Sequence, residues 1–346
     1  MHARANPGEI EAINKAKYYV RVVYSPMSKI RYIFIVGHGR SGTNWLLDLL
    51  NASPQTFCKE PDDLVDSPLK PFWPYRGGWR DNLSLFEGGW DKAILDMAKS
   101  MGHHDIRIKN PKVYLHEIPR RLGIIRLLCG TRCGKLMQRI IPSLRSGEWP
   151  IPWWIGDADK LKDAITVIKT VQTPGWAKFV LQYRPEVPVV HIVRHPGGYI
   201  NSWLNRYIST TNPDEVADRN RRRLFAISDA DPIWKARLGD IASMGMVEAE
   251  LWYWRYATEL IHLNSGKSHN YHLLIYKDLA QNPVPLIKNL YESTGLPWTD
   301  EVRIAIDAAC RKSSTFIDNW KKELSAEYQE LAEAVLRDSP LSKYWL

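Results

Sequence analysis

Cysteine is scarce: Cys58, Cys129, Cys133 and Cys310 are the only four in 346 residues. That excludes a disulfide-stapled fold, and the 129/133 pair lacks the second pair that a metal site of this kind needs. Free thiols are expected. No run of about 18 apolar residues occurs, which argues against a membrane-spanning helix, and Met1 to Gly8 lacks the apolar stretch of a secretory leader. A soluble, cytoplasmic protein with no integral membrane segment is the expectation. Internal repeats and low-complexity tracts are missing too, so neither a solenoid nor a disordered chain fits. Long basic tracts are absent: Arg221-Arg222-Arg223 and Lys321-Lys322 are short and scattered, and read as solvated faces rather than a nucleic-acid track.

What is present is ordinary globular material, 45% hydrophobic and 25% charged, with a net charge of +9 that favours anionic ligands. Buried strands are expected at Tyr32 to Val36, Ala164 to Lys169, Val187 to Val193 and Tyr271 to Tyr276, all apolar and rich in β-branched or aromatic residues. Helical spacing follows at 43–51, 198–207 and 246–263, and from Pro283 onward. Strands alternating with helices predict an α/β fold: a single P-loop-like domain over 31–346, with a central parallel sheet flanked by helices and residues 1–30 as an N-terminal extension. The Pro-, Gly- and Trp-rich stretches 66–90 and 141–157 read as irregular excursions. Their tryptophans either sit beneath loops or line a groove for a ring-bearing acceptor.

The first chemical signal is Gly37-His38-Gly39-Arg40-Ser41-Gly42-Thr43, which joins a buried strand to a helix N-terminus. Unpaired backbone N–H groups and the helix dipole attract an anion there, and glycines let the backbone wrap closely around it. An NTP-binding loop of this kind needs lysine where this chain has Thr43; its cation sits at Arg40 instead. The second signal is Arg194, at a strand end, followed eight residues later by Ser202 at the opening of a helix. Such a pair can converge on one phosphate.

The string Arg40-Ser41-Gly42-Thr43-Asn44-Trp45 resembles the 5′-phosphosulfate loop of sulfotransferases that use 3′-phosphoadenosine 5′-phosphosulfate (PAPS). Arg194-His195-Pro196 with Ser202 resembles the 3′-phosphate motif of the same family. The stretch Tyr276-Lys277-Asp278-Leu279 through Gly295-Leu296-Pro297 is similar to a further family segment, read here as structural. Trp320 and Leu324 match a Trp-x-x-x-Leu near the end of carbohydrate- and bacterial-type members. The C-terminal Arg-Lys-Gly motif of cytosolic small-molecule members is absent, so its contribution does not transfer.

The resemblance implies that Gly39, Arg40, Ser41, Gly42, Thr43, Asn44 and Trp45 bind the 5′ end of the nucleotide, with Trp45 against adenine or in the core. Arg194 and Ser202 would take the 3′-phosphate, with Arg206 a weaker third ligand. Arg40 also serves the leaving group. For the base that accepts the acceptor's proton, Glu60 is the first choice and Asp62 the second; His103, His104 and His116 are weaker alternatives. Lys169 is either a helper at the sulfuryl group or an ordinary strand-end lysine. The expected reaction is in-line sulfuryl transfer from PAPS to a hydroxyl or amine of a small-molecule, carbohydrate or peptide acceptor, with no metal. A P-loop nucleotide kinase or NTPase, and a non-catalytic binder of anionic glycans, are the competing readings.

Overall fold

The computed structural model describes residues 31–61, 67–80, 89–101, 112–118, 149–150, 156–210, 212–311 and 317–345. Five parallel strands make the central sheet: β1 (Tyr32–Gly37), β2 (Thr56–Lys59), β5 (Ile165–Lys169), β6 (Val189–Val193) and β7 (Tyr271–Ile275), in the spatial order β2-β5-β1-β6-β7. The two-residue strands β3 (Ser100–Met101) and β4 (Trp149–Pro150) pair separately and antiparallel. Every residue of β1, β5 and β6 is buried, which is why these segments are continuous apolar runs rather than alternating ones.

Four of the five strands lie where the sequence places them. The run expected from Val187 starts its ladder at Val189, because Pro188 has no N–H to give; its carbonyl instead accepts from Phe34 N at 2.8 Å. Strand β2 was not anticipated: Thr-Phe-Cys-Lys is too short and mixed to register as an apolar run. It forms the edge of the sheet, with Thr56 in register with Ile165.

Helices cover both faces. On one side α1 (Thr43–Leu50) packs with two C-terminal helices, Pro283–Thr294 and Asp300–Cys310, over Ile33, Ile35, Val167, Val190 and Ile192. On the other, Phe34 meets Trp90 edge-on at 6.1 Å, and Trp90 also meets Trp176. Of the described tryptophans in the 66–90 stretch, Trp90 is a core residue, while Trp73 and Trp79 are only partly buried. Beyond Trp90 and Trp176 a long helix, Met246–Leu263, packs against α2 (Pro196–Tyr207). Among the described residues no helix is long and apolar enough to cross a membrane.

Parallel strands all end at the same edge. The loops after β1, β2, β5, β6 and β7 therefore gather there, and β1 sits in the middle of the strand order, between β5 and β6. Open parallel sheets bind ligands at such a crevice.

Candidate functional site

At the tip of β1 the backbone leaves little room. A Cβ on Gly37 would lie 2.7 Å from the Ile192 carbonyl oxygen, and one on Gly42 would lie 2.8 Å from the Tyr276 ring. Gly42 takes φ +96° and Arg40 φ +69°. For a residue with a side chain that left-handed conformation costs about 1–2 kcal/mol, so surrounding contacts must hold Arg40 in it. The turn is fixed by Ser41 N donating to the His38 carbonyl at 3.1 Å. Helix α1 then starts with no side-chain cap and no acidic residue in its first turn. Its leading N–H groups are available to an anion. Ser41 is fully buried and its hydroxyl has no hydrogen-bond partner, an orphan beside those amides.

The tip of β6 is built differently. His195 caps α2, its Nδ1 accepting from Gly197 N at 3.1 Å, and Pro196 opens the helix. Burial, with Lys321 nearby, pushes the His195 imidazole down to about 4. Ahead of it Arg194 crosses to the neighbouring tip: its Nη1 donates to the Arg40 carbonyl at 3.2 Å, while Arg40 Nε donates to Ser202 Oγ at 3.2 Å. The two strand tips are thus stitched together through the residues that the sequence singled out on each. The Arg194 guanidinium lies 4.6 Å from the Tyr276 ring centroid, and its Nε is buried with no hydrogen-bond partner. Burial lowers its affinity for a proton, and Arg40 acts in the same direction. Among the described residues neither guanidinium pairs with a carboxylate. Two adjacent cations that form no ion pair among the described residues favour an anion between them.

Both tips face a cavity of about 570 Å³ lined by Gly39, Arg40, Gly42, Thr43, Asn44, Trp45, Lys169, Arg194, Ser202 and Tyr276 among others. A second cavity of about 410 Å³ shares Arg40, Arg194, Ser202 and Tyr276, and continues along α2 past Asn201, Asn205 and Arg206 to Asn319 and Glu323. Trp45 stands edge-on to Tyr276, with ring centroids 5.9 Å apart, and also packs on the core.

The tip of β5 supplies Lys169, whose Nζ donates to Asn44 Oδ1 at 3.1 Å and lies 3.5 Å from Glu60 Oε1. Glu60, just past β2, therefore reaches the cavity wall through Lys169. Asp62, His103, His104, Cys129 and Cys133 lie outside the described residues, and His116 is exposed.

Tyr276 was read from sequence as structural, yet it contacts both tips: it limits Gly42, faces Arg194 and meets Trp45. The available signal was its position, the first residue beyond a buried strand that runs parallel to the other two. Glu323 lies inside the Trp320 to Leu324 match, which gave it no role, and Asn319 just before it; both reach the second cavity from more than a hundred residues further along the chain.

The fold and these tips define a P-loop-like α/β protein with an arginine-lined cavity at the carboxyl edge of a parallel sheet. A profile of the sulfotransferase family matches residues 32–300, and the chain belongs to that family. Among solved structures it is similar to the sulfotransferase domain of the Synechococcus PCC 7002 olefin synthase (15% identity, 90% of this chain and 96% of that one, TM-score 0.39). It is also similar to sulfotransferase STF9 from Mycobacterium avium (13%, 89% and 76%, TM-score 0.38). A third likeness is to mouse sulfotransferase SULT7A1 complexed with PAP (12%, 92% and 88%, TM-score 0.40). Likenesses this distant assign no residue and no acceptor. No curated protein sequence matches the chain.

Proposed function

We propose that the chain transfers a sulfuryl group from PAPS to a hydroxyl or amine by in-line displacement. The observation that carries this reading is the convergence of Arg40 and Arg194 on one cavity, each without a carboxylate partner. An adenosine bisphosphate that bridges the two tips satisfies both. The residues present suit such a ligand: uncapped α1 amides and the orphan Ser41 hydroxyl for the 5′-phosphate, Arg194 and Ser202 for the 3′-phosphate, and Trp45 with Tyr276 for a ring.

PAPS brings the sulfuryl group and its phosphate leaving group; the protein positions them and neutralises charge. Gly39, Gly42 and the amides of Thr43 and Asn44 hold the 5′ end through backbone. Arg40 is free to exchange its bond to Ser202 for one to the bridging oxygen as charge builds there. Lys169, fixed by Asn44, faces the same space. Glu60, 3.5 Å from Lys169 Nζ, accepts the acceptor's proton, with Asp62 the second candidate.

The test is calorimetry of the full chain with 3′,5′-bisphosphoadenosine, AMP and ATP–Mg²⁺, followed by an acceptor screen with labelled PAPS. A clear preference for the bisphosphate is expected. Equal affinity for the bisphosphate and AMP, or a preference for ATP–Mg²⁺, overturns the reading.

A further inference from the structure

Three arginines, Arg40, Arg194 and Arg206, line the second cavity, and one carboxylate, Glu323, faces them. Glu323 belongs to a short C-terminal helix, α3 (Trp320–Glu323), seated on the start of α2. Trp320 stacks on His195, with ring centroids 4.5 Å apart and planes 18° off parallel. It lies so close to Gly197 that a Cβ there would come within 2.5 Å of its ring. From this seat Glu323 Oε2 accepts from Asn201 Nδ2 at 2.6 Å and from Asn205 Nδ2 at 3.4 Å. Those asparagines flank Ser202 on α2.

A carboxylate on the wall of a phosphate site is unexpected on grounds of affinity, because like charges disfavour each other. Asn201 and Asn205 need only a neutral acceptor, which glutamine also offers. The charge itself is therefore not explained by packing. Its effect falls on the ligand: a site with three guanidinium groups and no counter-charge would hold the spent bisphosphate as firmly as the incoming donor, and product departure limits many enzymes.

We infer that Glu323, held in place by Asn201 and Asn205, is a specificity-determining residue that weakens the grip on the nucleotide's second phosphate. This rests on the proposed nucleotide reading of the cavity. The C-terminal segment thus contributes to the second-phosphate site by repulsion rather than by a cation.

The experiment is calorimetry of the full-length wild type, Glu323→Gln and Glu323→Asp with 3′,5′-bisphosphoadenosine and with AMP, at low and high salt. Glu323→Gln keeps the acceptor for Asn201 and removes the charge. It is expected to bind the bisphosphate about threefold tighter, a size typical of an exposed charge interaction, with AMP unchanged and the gain reduced by salt. Glu323→Asp keeps the charge and is expected to show no gain. Unchanged or weaker bisphosphate binding in Glu323→Gln overturns the inference, as does a gain shared by AMP or by Glu323→Asp. A wild type without preference for the bisphosphate over AMP instead removes the nucleotide reading, and this inference falls with it.

Discussion

The two strand tips solve the same problem with different materials. The tip of β1 uses backbone: glycines, a left-handed turn and the uncapped start of α1, with Arg40 reaching out from the turn. The tip of β6 uses side chains: Arg194 is largely buried against Tyr276, and Ser202 stands two turns into a helix already capped by His195. A backbone site is hard to damage by side-chain substitution and easy to damage by changing its geometry. A side-chain site behaves the other way round. The contrast makes separate predictions for each tip.

Each tip also carries a buried imidazole, and acid is expected to have the largest effect. His38, between the rings of Tyr199 and Tyr253, is lowered to about 3 by burial and then by Arg223, and neither ring nitrogen has a hydrogen-bond partner. His195 is lowered to about 4, and His191, in β6, to about 3. All three are neutral in the folded state at pH values where the unfolded chain has already bound a proton. The unfolded state thus takes up more protons below the ordinary histidine value near 6.5, so stability falls as pH drops from there and levels off only near 3 to 4. Thermal melts from pH 7 down to pH 4 should show a steadily falling Tm. His38→Met, which removes the more strongly shifted imidazole, should flatten that slope more than His195→Asn, which keeps a helix cap. A slope that neither substitution changes would mean that neither tip imidazole drives the acid response.

Next in size is Arg194→Ala. Removing a largely buried cation from a phosphate site costs on the order of 100-fold in affinity, and the loss should fall on the bisphosphate and spare AMP. Arg40→Ala should cost less in binding, on the order of tenfold, because the amides of the β1 tip remain to hold the 5′-phosphate. Equal losses in the two variants would erase the distinction between a backbone tip and a side-chain tip.

How far the sequence revealed this site follows the same division. The β1 tip was legible because its physics lies in a local string: a buried run, glycines at close-contact positions and an uncapped helix start. The β6 tip was legible through the spacing of Arg194 and Ser202, since two turns of helix put position 202 on the same face as the helix start. Strand β2 was hidden because an edge strand of four residues, Thr56 to Lys59, needs no continuous apolar run. Tyr276, Asn319 and Glu323 lie in or beside segments that the sequence picked out but gave no ligand role, because they join the cavity through tertiary packing that a local string does not record. The ion pair of Glu60 with Lys169 was half visible, as two strand-end residues whose adjacency depends on β2 lying beside β5.

The smallest effect expected is that of Ser202→Ala. The Ser202 hydroxyl accepts from Arg40 Nε at 3.2 Å, and under the proposed function it would donate to the bisphosphate instead. The substitution removes a bond from both states, and the loss in the free state partly offsets the loss in the bound one. A net hydrogen bond is worth about 1 kcal/mol, so bisphosphate affinity should fall by about fivefold or less, with AMP unaffected. It also releases Arg40 from its resting partner while leaving Arg194 in place. If calorimetry instead finds a loss as large as that of Arg194→Ala, the hydroxyl is not a spare donor on the side-chain tip, and the bond between Arg40 and Ser202 must be what holds the two tips in register.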